Sequence, residues 1–291
     1  GEIMKLFVVD AFSDKVFQGN QAGVVIVDEN NEFLDEKVMI NISAELKHSE
    51  TAFVKKGKDE NSFEIRYFTP NSEVDLCGHA TVSAFTVLCN EGIIGTGEFY
   101  AKTLAGNLKV IVKENVVWIE MAEGKIVREF NYDEVLEIYK AYGLKDNDID
   151  KEIKCCIVNT GLTDILLPVK SREVLNNAIQ NKEEVIRLSK KYNVVGVHMF
   201  YLEKSKKATA YCRNFAPLYA IDEECATGTS NGALTYYLLK EGLIEEKDKN
   251  TFIQGEAMGK PSIILSRVGN EGRIYIGGNA VISITGKLNL T

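Results

Sequence analysis

The sequence predicts an α+β fold with two pseudo-symmetric domains, each a curved mixed β-sheet, barrel-like in form, wrapped around a central buried helix. Three observations predict it: a motif that occurs twice at a domain-sized interval, two helical segments without charged side chains, and many short strand-like segments elsewhere. A chain of 291 residues is long enough for two domains that each bury a core.

The duplicated motif sets the domain organisation. RYFTPNSEVDLCGHAT begins at Arg66, and RNFAPLYAIDEECATGT begins 147 residues later at Arg213. Both contain Arg, Phe and Pro at alternate positions, then an acidic segment, a cysteine and a helix that ends in Glu-Gly. Solenoid repeats have much shorter periods, so the interval indicates a duplicated domain. We predict a boundary near Glu123–Asn131, with domains at 4–122 and 123–291, and a final strand at about 280–290 that packs back on the first domain.

Hydrophobic patterns predict the elements in chain order. Short apolar or alternating runs predict strands at Leu6–Asp10, Gly23–Val27, Thr51–Lys55, Phe63–Phe68, Leu108–Glu120, Cys155–Val158, Asp164–Val169, Val195–Tyr201, Ala208–Phe215, Ile263–Arg267, Arg273–Ile276 and Ala280–Thr285. Longer periodic segments predict helices at Leu34–Lys47, Tyr132–Tyr142 and Glu173–Tyr192.

Two further helices follow the cysteines of the duplicated motif. Neither Gly78–Asn90 nor Ala226–Leu239 contains a charged side chain. A helix without a polar face must be buried on all sides, so each is expected to be the central helix of its domain. The N-terminal N–H groups of a buried helix need partners, which makes each helix start a candidate anion site.

Composition excludes several classes of function. The formal net charge of −8, without a run of Lys and Arg, argues against nucleic acid and favours a small-molecule partner. The six cysteines are too sparse for a disulfide scaffold and have no zinc-site spacing. No signal-peptide pattern or long uncharged apolar segment occurs, so we expect a cytoplasmic protein without membrane contact. No P-loop, dinucleotide fingerprint or metal-ligand cluster is present, so no cofactor and no metal are expected.

The candidate catalytic residues lie at the helix starts and at one strand. Cys77 and Cys225 fall at the predicted helix N-termini, where the helix dipole stabilises a thiolate; a buried structural role is the alternative. His79, in CGHAT, can exchange a proton above a bound anion. Glu50, in HSETAFV, begins an apolar strand, so desolvation is expected to raise its pKa and suit it to acid–base catalysis; a solvated surface Glu is the alternative.

Six sequence blocks resemble those of a known family. In order, they are VDAFSDKVFQGNQAGVVIV, SETAFV, RYFTPNSEVDLCGHAT, CRNFAP, ATGTSNGAL and QGEAMGKPS. They resemble the signature blocks of the PhzF family of phenazine-biosynthesis-like isomerases, which shares the diaminopimelate-epimerase fold, and the likeness runs from about Lys5 to Leu288.

The resemblance implies a role for each matching residue. Glu50 matches the acid/base that moves a proton between substrate carbons without a cofactor, and His79 matches the histidine that assists it. The positions that hold the substrate carboxylate are matched by Ser49, Gly78, Gly228 and Thr229. The resemblance also implies a homodimer and a site in a cleft between the two domains.

One block departs from the family pattern. Where the family reads Glu-Asp-Pro-Ala-Thr-Gly, this chain has Glu224 in place of the functional Asp and Cys225 in place of Pro. With Cys77, this restores a thiol pair like that of diaminopimelate epimerase and proline racemase. Three functions therefore stay open: a PhzF-like isomerase of a small carboxylate, a two-cysteine amino-acid racemase or epimerase, and a non-catalytic small-anion binding protein that kept the fold.

Overall fold

The computed structural model describes residues 2–205, 207–247 and 249–290. Its strands are β1 (Glu2–Ala11), β2 (Asn20–Ile26), β3 (Glu50–Lys56), β4 (Ser62–Phe68), β5 (Glu73–Val74), β6 (Gly97–Thr103), β7 (Gly106–Lys113), β8 (Val116–Glu120), β9 (Lys125–Glu129), β10 (Cys156–Asn159), β11 (Thr163–Pro168), β12 (Gly196–Leu202), β13 (Ala210–Ala216), β14 (Ile221–Glu224), β15 (Asn250–Gln254), β16 (Ser262–Val268), β17 (Ile274–Gly278) and β18 (Ala280–Leu290). Its α-helices are α1 (Glu36–Leu46), α2 (Gly78–Asn90), α3 (Tyr132–Lys140), α4 (Arg172–Asn177), α5 (Lys182–Tyr192) and α6 (Gly228–Lys240).

The chain divides into two compact units. Unit 1 contains the residues up to Glu120 together with those from Gly277 onward, and unit 2 is Met121–Ile276. The last strand, β18, pairs antiparallel with β1 and so belongs to unit 1. Within the described residues, no helix is both long enough and apolar enough to span a bilayer.

The two units have the same pairing pattern. In unit 1 the pairs β1–β2, β3–β4 and β6–β7 are antiparallel, whereas β2–β3 and β4–β6 are parallel. In unit 2 the pairs β10–β11, β12–β13 and β15–β16 are antiparallel, whereas β11–β12 and β13–β15 are parallel. Phe68 of β4 pairs with Thr51, and Phe215 of β13, 147 residues later, pairs with Val197. The sequence repeat is therefore also a repeat of topology and register.

The repeated Arg and acidic positions form equivalent ion pairs. Arg66 makes a two-hydrogen-bond contact with Glu73 in unit 1, at 2.8 and 2.7 Å. Arg213 makes the same contact with Glu223 in unit 2, at 2.8 and 3.0 Å. The guanidinium fork matches a carboxylate in this geometry, which explains why both residue types recur in the repeat.

The uncharged helix α2 is the centre of unit 1. It packs against β1, β2, β3, β8 and β18, so the sheet curves around it. Its hydroxyls donate to carbonyls one turn earlier in the same helix: Thr81 to Cys77, Ser83 to His79 and Thr86 to Val82, at 2.7–2.8 Å. These bonds satisfy the polar atoms of a buried helix without any charged partner. In unit 2, α6 packs against β10, β11 and β16.

The elements differ from the sequence prediction in several places. The predicted strand Leu108–Glu120 is the hairpin β7–β8, because Glu114 and Asn115 adopt positive φ and form its turn. The predicted helix Glu173–Tyr192 is two helices, because the chain becomes extended at Ala178 and Asn181 caps α5. The predicted boundary Glu123–Asn131 contains β9, which pairs with β10. Strands β5, β6, β9, β14 and β15 were not predicted, since they are short or carry little hydrophobic alternation.

Candidate active site

The start of α2 and the start of β3 bring five of the predicted site residues together in unit 1. Glu50 is the first residue of β3, where it pairs in parallel register with Ala22 of β2. Cys77 is the N-cap of α2, and Gly78 and His79 are its first two residues. Ser49 directly precedes β3. Two segments that lie far apart in sequence therefore form one cluster.

The cluster centres on the imidazole of His79. Nε2 of His79 lies 3.2 Å from Oε2 of Glu50 and 3.2 Å from Oγ of Ser49. Sγ of Cys77 lies 3.4 Å from Nδ1 and 3.9 Å from Nε2 of the same ring. Oε2 of Glu50 is buried without a hydrogen-bond partner among the described residues, so its approach to His79 is an ion-pair contact rather than an aligned hydrogen bond.

Mutual electrostatics set the protonation states of this cluster. Burial alone would raise the pKa of Glu50, but contact with His79 and the charge of its ring, with Ser49 and Cys77, leave that pKa lowered. Burial alone would lower the pKa of His79, but Cys77 and Glu50 raise it well above its usual value. Burial and the charge of Glu50 raise the pKa of the Cys77 thiol. The directions of these shifts favour the ionised form of Glu50 and the protonated forms of His79 and Cys77.

The predicted direction of the Glu50 shift is wrong. Desolvation is present, as expected for a carboxylate whose side chain is only 18% exposed. The sequence did not reveal that a cationic ring lies beside that carboxylate, and a nearby opposite charge favours the ionised form.

The remaining predicted site residues lie in unit 2, around the start of α6. Glu224 is the last residue of β14, Gly228 and Thr229 are the first two residues of α6, and buried Cys225 lies between these elements. The N-cap of α6 is Thr227, whose backbone angles, φ −131° and ψ 103°, are close to those of Cys77 at φ −141° and ψ 114°. Thr227, rather than Cys225, is therefore the structural counterpart of Cys77. The helix predicted from Ala226 begins two residues later.

A buried chain of polar side chains in unit 2 was not predicted. Ser230 donates to Oδ2 of Asp164 at 2.6 Å, and Asn214 donates to Ser230 at 3.0 Å and to Nδ1 of His198 at 3.1 Å. Nε2 of His198 lies 3.2 Å from Oδ1 of Asn231. Since an amide N–H₂ only donates and an amide oxygen only accepts, His198 is the Nε2–H tautomer.

The chain of hydrogen bonds continues to the start of α6 through Gln254. Asn231 donates to the carbonyl of Thr227 and to Oε1 of Gln254, both at 2.9 Å. Gln254 is fully buried and donates to the carbonyl of Glu224 at 2.7 Å and to Oγ1 of Thr227 at 3.1 Å. These bonds fix the segment that carries Glu224 and Cys225. A sequence signal existed for Asp164, which is an acid inside the apolar run TDILLPV, but not for the amides.

Burial shifts the pKa values of the two titratable groups in this network. Burial raises the pKa of Asp164 to about 6, although Ser230 and the backbone N–H of Gly196 oppose the shift. Burial lowers the pKa of His198 to about 4. His198 is therefore neutral at physiological pH.

Comparison with known proteins gives the class of the chain. It is 35% identical to an uncharacterized isomerase of Clostridium acetobutylicum, over 98% of both chains. A crystal structure of a PhzF-family phenazine biosynthesis protein from Bacillus anthracis matches with a TM-score of 0.84 and 26% identity, over 100% of both chains. A hydroxyproline epimerase of Agrobacterium vitis shares the fold, with a TM-score of 0.61 and 14% identity, over 98% of this chain and 92% of that one. The protein is thus an isomerase with an epimerase-like α+β fold.

The family follows from a match over nearly the whole chain. The model of the family PhzC-PhzF, phenazine biosynthesis-like protein, matches residues 9–286. The chain belongs to this family, as its sequence blocks predicted.

Proposed function

We propose that this isomerase moves a proton between carbons of a small carboxylate substrate by general acid–base catalysis, without a cofactor, and that Glu50 carries the proton. The observation that carries the proposal is the Glu50–His79 pair, with its 3.2 Å contact at the start of β3 and α2. The alternative of a non-catalytic anion-binding protein is set aside, since the chain belongs to a family whose relatives are isomerases.

Glu50 acts as base and then as acid. Its lowered pKa keeps it ionised at neutral pH, so Oε2 accepts a proton from a substrate carbon while the C–H electron pair delocalises towards the adjacent carboxylate. The protonated Glu50 then returns the proton to another carbon of the same molecule. The base is regenerated, and neither an oxidant nor a reductant is consumed.

His79 supplies positive charge where negative charge develops. Its raised pKa keeps the ring an imidazolium, and a fixed cation close to the reacting atoms stabilises an enolate-like intermediate. The same cation keeps Glu50 ionised before the reaction. The His79 ring therefore stabilises both the Glu50 carboxylate before the reaction and the negative charge that develops on the substrate.

The substrate carboxylate is proposed to bind at the helix starts, with Ser49 and Gly78 in unit 1 and Gly228 and Thr229 in unit 2. A Cβ added to Gly78 would meet no atom within 4 Å, so there is open space beside the first residue of α2. Helix N-termini bind anions through their free N–H groups and dipole. Glu224 is assigned to the same site by its place in the family motif.

The two-cysteine racemase is retained as the second candidate because Cys77 is the N-cap of α2, next to His79. In that mechanism Cys77 and Cys225 act on opposite faces of one α-carbon. The position of Thr227 weighs against it, since the N-cap of α6 is a hydroxyl residue and Cys225 lies two residues before it. The raised pKa of Cys77 also disfavours a thiolate base.

Two features predicted with the function are proposed with it: a site at the interface of the two domains, and a homodimer. Light scattering on the purified protein tests the assembly, because a dimer has twice the chain mass of 32.4 kDa. A monomer at assay concentration would rule it out.

The function is tested by incubating the protein with a panel of amino acids and cyclic dienoic acids in deuterated water, followed by NMR. The Glu50 route predicts an isomerised product with substoichiometric deuterium, because the proton can stay on the enzyme. The two-thiol route predicts a full deuterium in early product and unlabelled residual substrate, because the incoming proton comes from a second, solvent-exchanged thiol. If no carboxylate in the panel is isomerised, the substrate class is wrong.

A further inference from the structure

The unit 1 cluster contains three different metal-binding groups within a small volume. The ligand atoms of Glu50, Cys77 and His79 all lie within 4.8 Å of one another, and this was the one such group of three found in the part of the chain that the structure describes. Glu50 lies 27 residues before Cys77 in the sequence, so no short ligand motif joins the three residues. Folding alone assembles the group.

The spacing of these atoms is close to that of a tetrahedral zinc site. Zinc–ligand distances of about 2.0–2.1 Å to nitrogen, 2.0–2.2 Å to oxygen and 2.3 Å to sulfur place N and O about 3.3 Å apart, and S and N about 3.6 Å apart. The observed separations are 3.2 Å from Nε2 of His79 to Oε2 of Glu50 and 3.9 Å to Sγ of Cys77. The separation of Nε2 of His79 and Sγ of Cys77 must shorten by about 0.3 Å to reach this geometry.

A second observation points to a ligand at this place. Oε2 of Glu50 is buried and, apart from its ion-pair contact with His79, accepts no aligned hydrogen bond from the described residues, although a buried carboxylate oxygen normally has a donor. Ser49 lies 3.2 Å from Nε2 of His79 and can contribute an oxygen or hold a water in the fourth position. A mixed sulfur, nitrogen and oxygen set suits zinc, which is borderline-soft, better than magnesium or calcium.

We propose that Glu50, Cys77 and His79 bind one Zn²⁺ ion, with Ser49 or water as the fourth ligand. Zinc binding requires the thiolate form of Cys77 and an unprotonated Nε2 on His79, so one proton from each of these two residues is released to solvent on binding. In the described residues of unit 2 the equivalent positions lack these ligands, since Thr227 stands in the place of Cys77 and Gly196 in the place of Glu50.

Zinc binding at this site has a consequence for catalysis, and that consequence rests on the proposed function. Zinc occupies the oxygen that accepts the substrate proton and the ring nitrogen beside it, so metal binding and proton transfer exclude each other. Zinc is therefore expected to be an inhibitor competitive with substrate. This consequence can fail while the binding site stands, because binding is measured without substrate.

The test is titration of the chelator-treated protein with Co²⁺, a spectroscopic substitute for zinc, followed by displacement with Zn²⁺. We expect one equivalent of Co²⁺ to produce a thiolate-to-cobalt charge-transfer band, which one equivalent of Zn²⁺ removes. Cys77→Ser should abolish the band and weaken Zn²⁺ affinity, measured against a chromophoric chelator, by more than about 10-fold, since even outer-shell changes cost 10–100-fold.

Cys89→Ser is the matched control, because Cys89 lies on the same helix and is partly buried but does not belong to the cluster. It should leave the band and the affinity unchanged. Glu50→Gln provides a second variant, expected to weaken Zn²⁺ binding by about 10-fold while retaining the thiolate band. Absence of a band in the intact protein, or a band that survives Cys77→Ser, would overturn the proposal.

Discussion

The starts of the two central helices have similar N-cap backbone angles but different side chains around them. In unit 1, Glu50, His79 and Cys77 form a compact cluster of titratable groups. In unit 2, the N-cap of α6 is held by Gln254 and Asn231, two neutral amides. The strand registers show which residues differ between the units. Glu50 pairs with Ala22 in unit 1, whereas the equivalent pair in unit 2 is Gly196 with Asp164.

The two units therefore carry different chemistry on the same duplicated topology. Unit 1 contains a carboxylate–imidazolium pair whose members stabilise each other's charge. Unit 2 contains a carboxylate and a histidine that burial drives towards their neutral forms. We infer that unit 1 carries the proton and that the network of unit 2 positions the segment from Glu224 to Gly228. The predictions below test this division.

The largest expected effect is on turnover. Glu50→Gln preserves shape and removes the base, so kcat on the substrate identified by the panel should fall roughly 10²–10⁴-fold. Asp164→Asn removes the buried carboxylate of unit 2 and should leave most of kcat. Circular dichroism verifies that both variants are folded. An equal loss of turnover in the two variants would contradict the division.

The equivalent ion pairs should differ in their contribution to stability. Arg213 is buried, and Nη1 also donates to the carbonyls of Leu175 and Ala178, at 3.0 and 2.8 Å. Arg213→Met removes the donor to both carbonyls and leaves Glu223, whose side chain is 17% exposed, without its partner, so it should lower the free energy of unfolding by about 3 kcal/mol.

Arg66→Met is the matched change in unit 1. The side chain of Arg66 is 28% exposed, so solvent screens its pair with Glu73 and the expected cost is only about 1 kcal/mol. Urea denaturation measures both variants. A cost for Arg66→Met that equals or exceeds that for Arg213→Met would show that the two pairs are not distinguished by burial.

The pH dependence of stability should reveal two opposing groups in unit 2. Asp164 has its pKa raised to about 6, so its stabilising protonated form is lost, and stability falls, as pH rises through that value. His198 has its pKa lowered to about 4, so stability is lost as pH falls from its usual value of 6.5 through 4. Each effect amounts to about 3 kcal/mol, and over the shared range they largely cancel.

Replacing one of the two groups should reveal the pH dependence of stability that the other group causes. Asp164→Asn should give a free energy of unfolding that rises between about pH 4 and pH 6, whereas His198→Gln should give one that falls over the same range. Denaturant titrations at several pH values measure both slopes. Slopes of the same sign in the two variants would show that the two groups do not have opposed shifts.

The smallest expected effect is at Gly78. An added Cβ meets no atom within 4 Å, so Gly78→Ala should leave the free energy of unfolding unchanged or raise it by up to about 1 kcal/mol. The same methyl would stand where the substrate carboxylate approaches the backbone, so KM should rise by about 10-fold, or ~1.4 kcal/mol. Unchanged KM in a stable variant would place the carboxylate elsewhere.

Gly232 provides the contrast on α6. A Cβ there would lie 3.2 Å from Cε of Met121 and 3.3 Å from its Cγ, so Gly232→Ala requires Met121 to move. We expect it to reduce stability relative to Gly78→Ala. The comparison separates a glycine beside open space from a glycine required by packing.

Much of the fold could be predicted from the sequence because the relevant signals are local or repeated. The uncharged stretches predicted the two central helices, and the repeat at Arg66 and Arg213 predicted the duplicated topology. The missed elements carry weaker signals: β5 has two residues, and the β7–β8 turn uses Glu114 and Asn115 instead of glycine. Such a turn depends on residues that adopt positive φ, which the hydrophobic pattern does not indicate.

The site was predictable only in part, since protonation depends on neighbours distant in sequence. The residues Glu50, His79 and Cys77 were identified by motif, but their contacts come from the pairing of β3 with β2 and from the burial of α2. The hydrogen-bond network from Asp164 through Asn214 and His198 to Gln254 joins five separate segments. No pattern within one segment encodes it.

The most direct measurement is the ¹⁵N NMR spectrum of the histidine side chains at neutral pH. The chain has three histidines, so His79→Gln and His198→Gln variants assign the spectrum. The account predicts that His79 has protons on both ring nitrogens, while His198 is neutral with its proton on Nε2. A neutral His79, or a protonated His198, at that pH would contradict the assignment of the proton-transfer chemistry to unit 1.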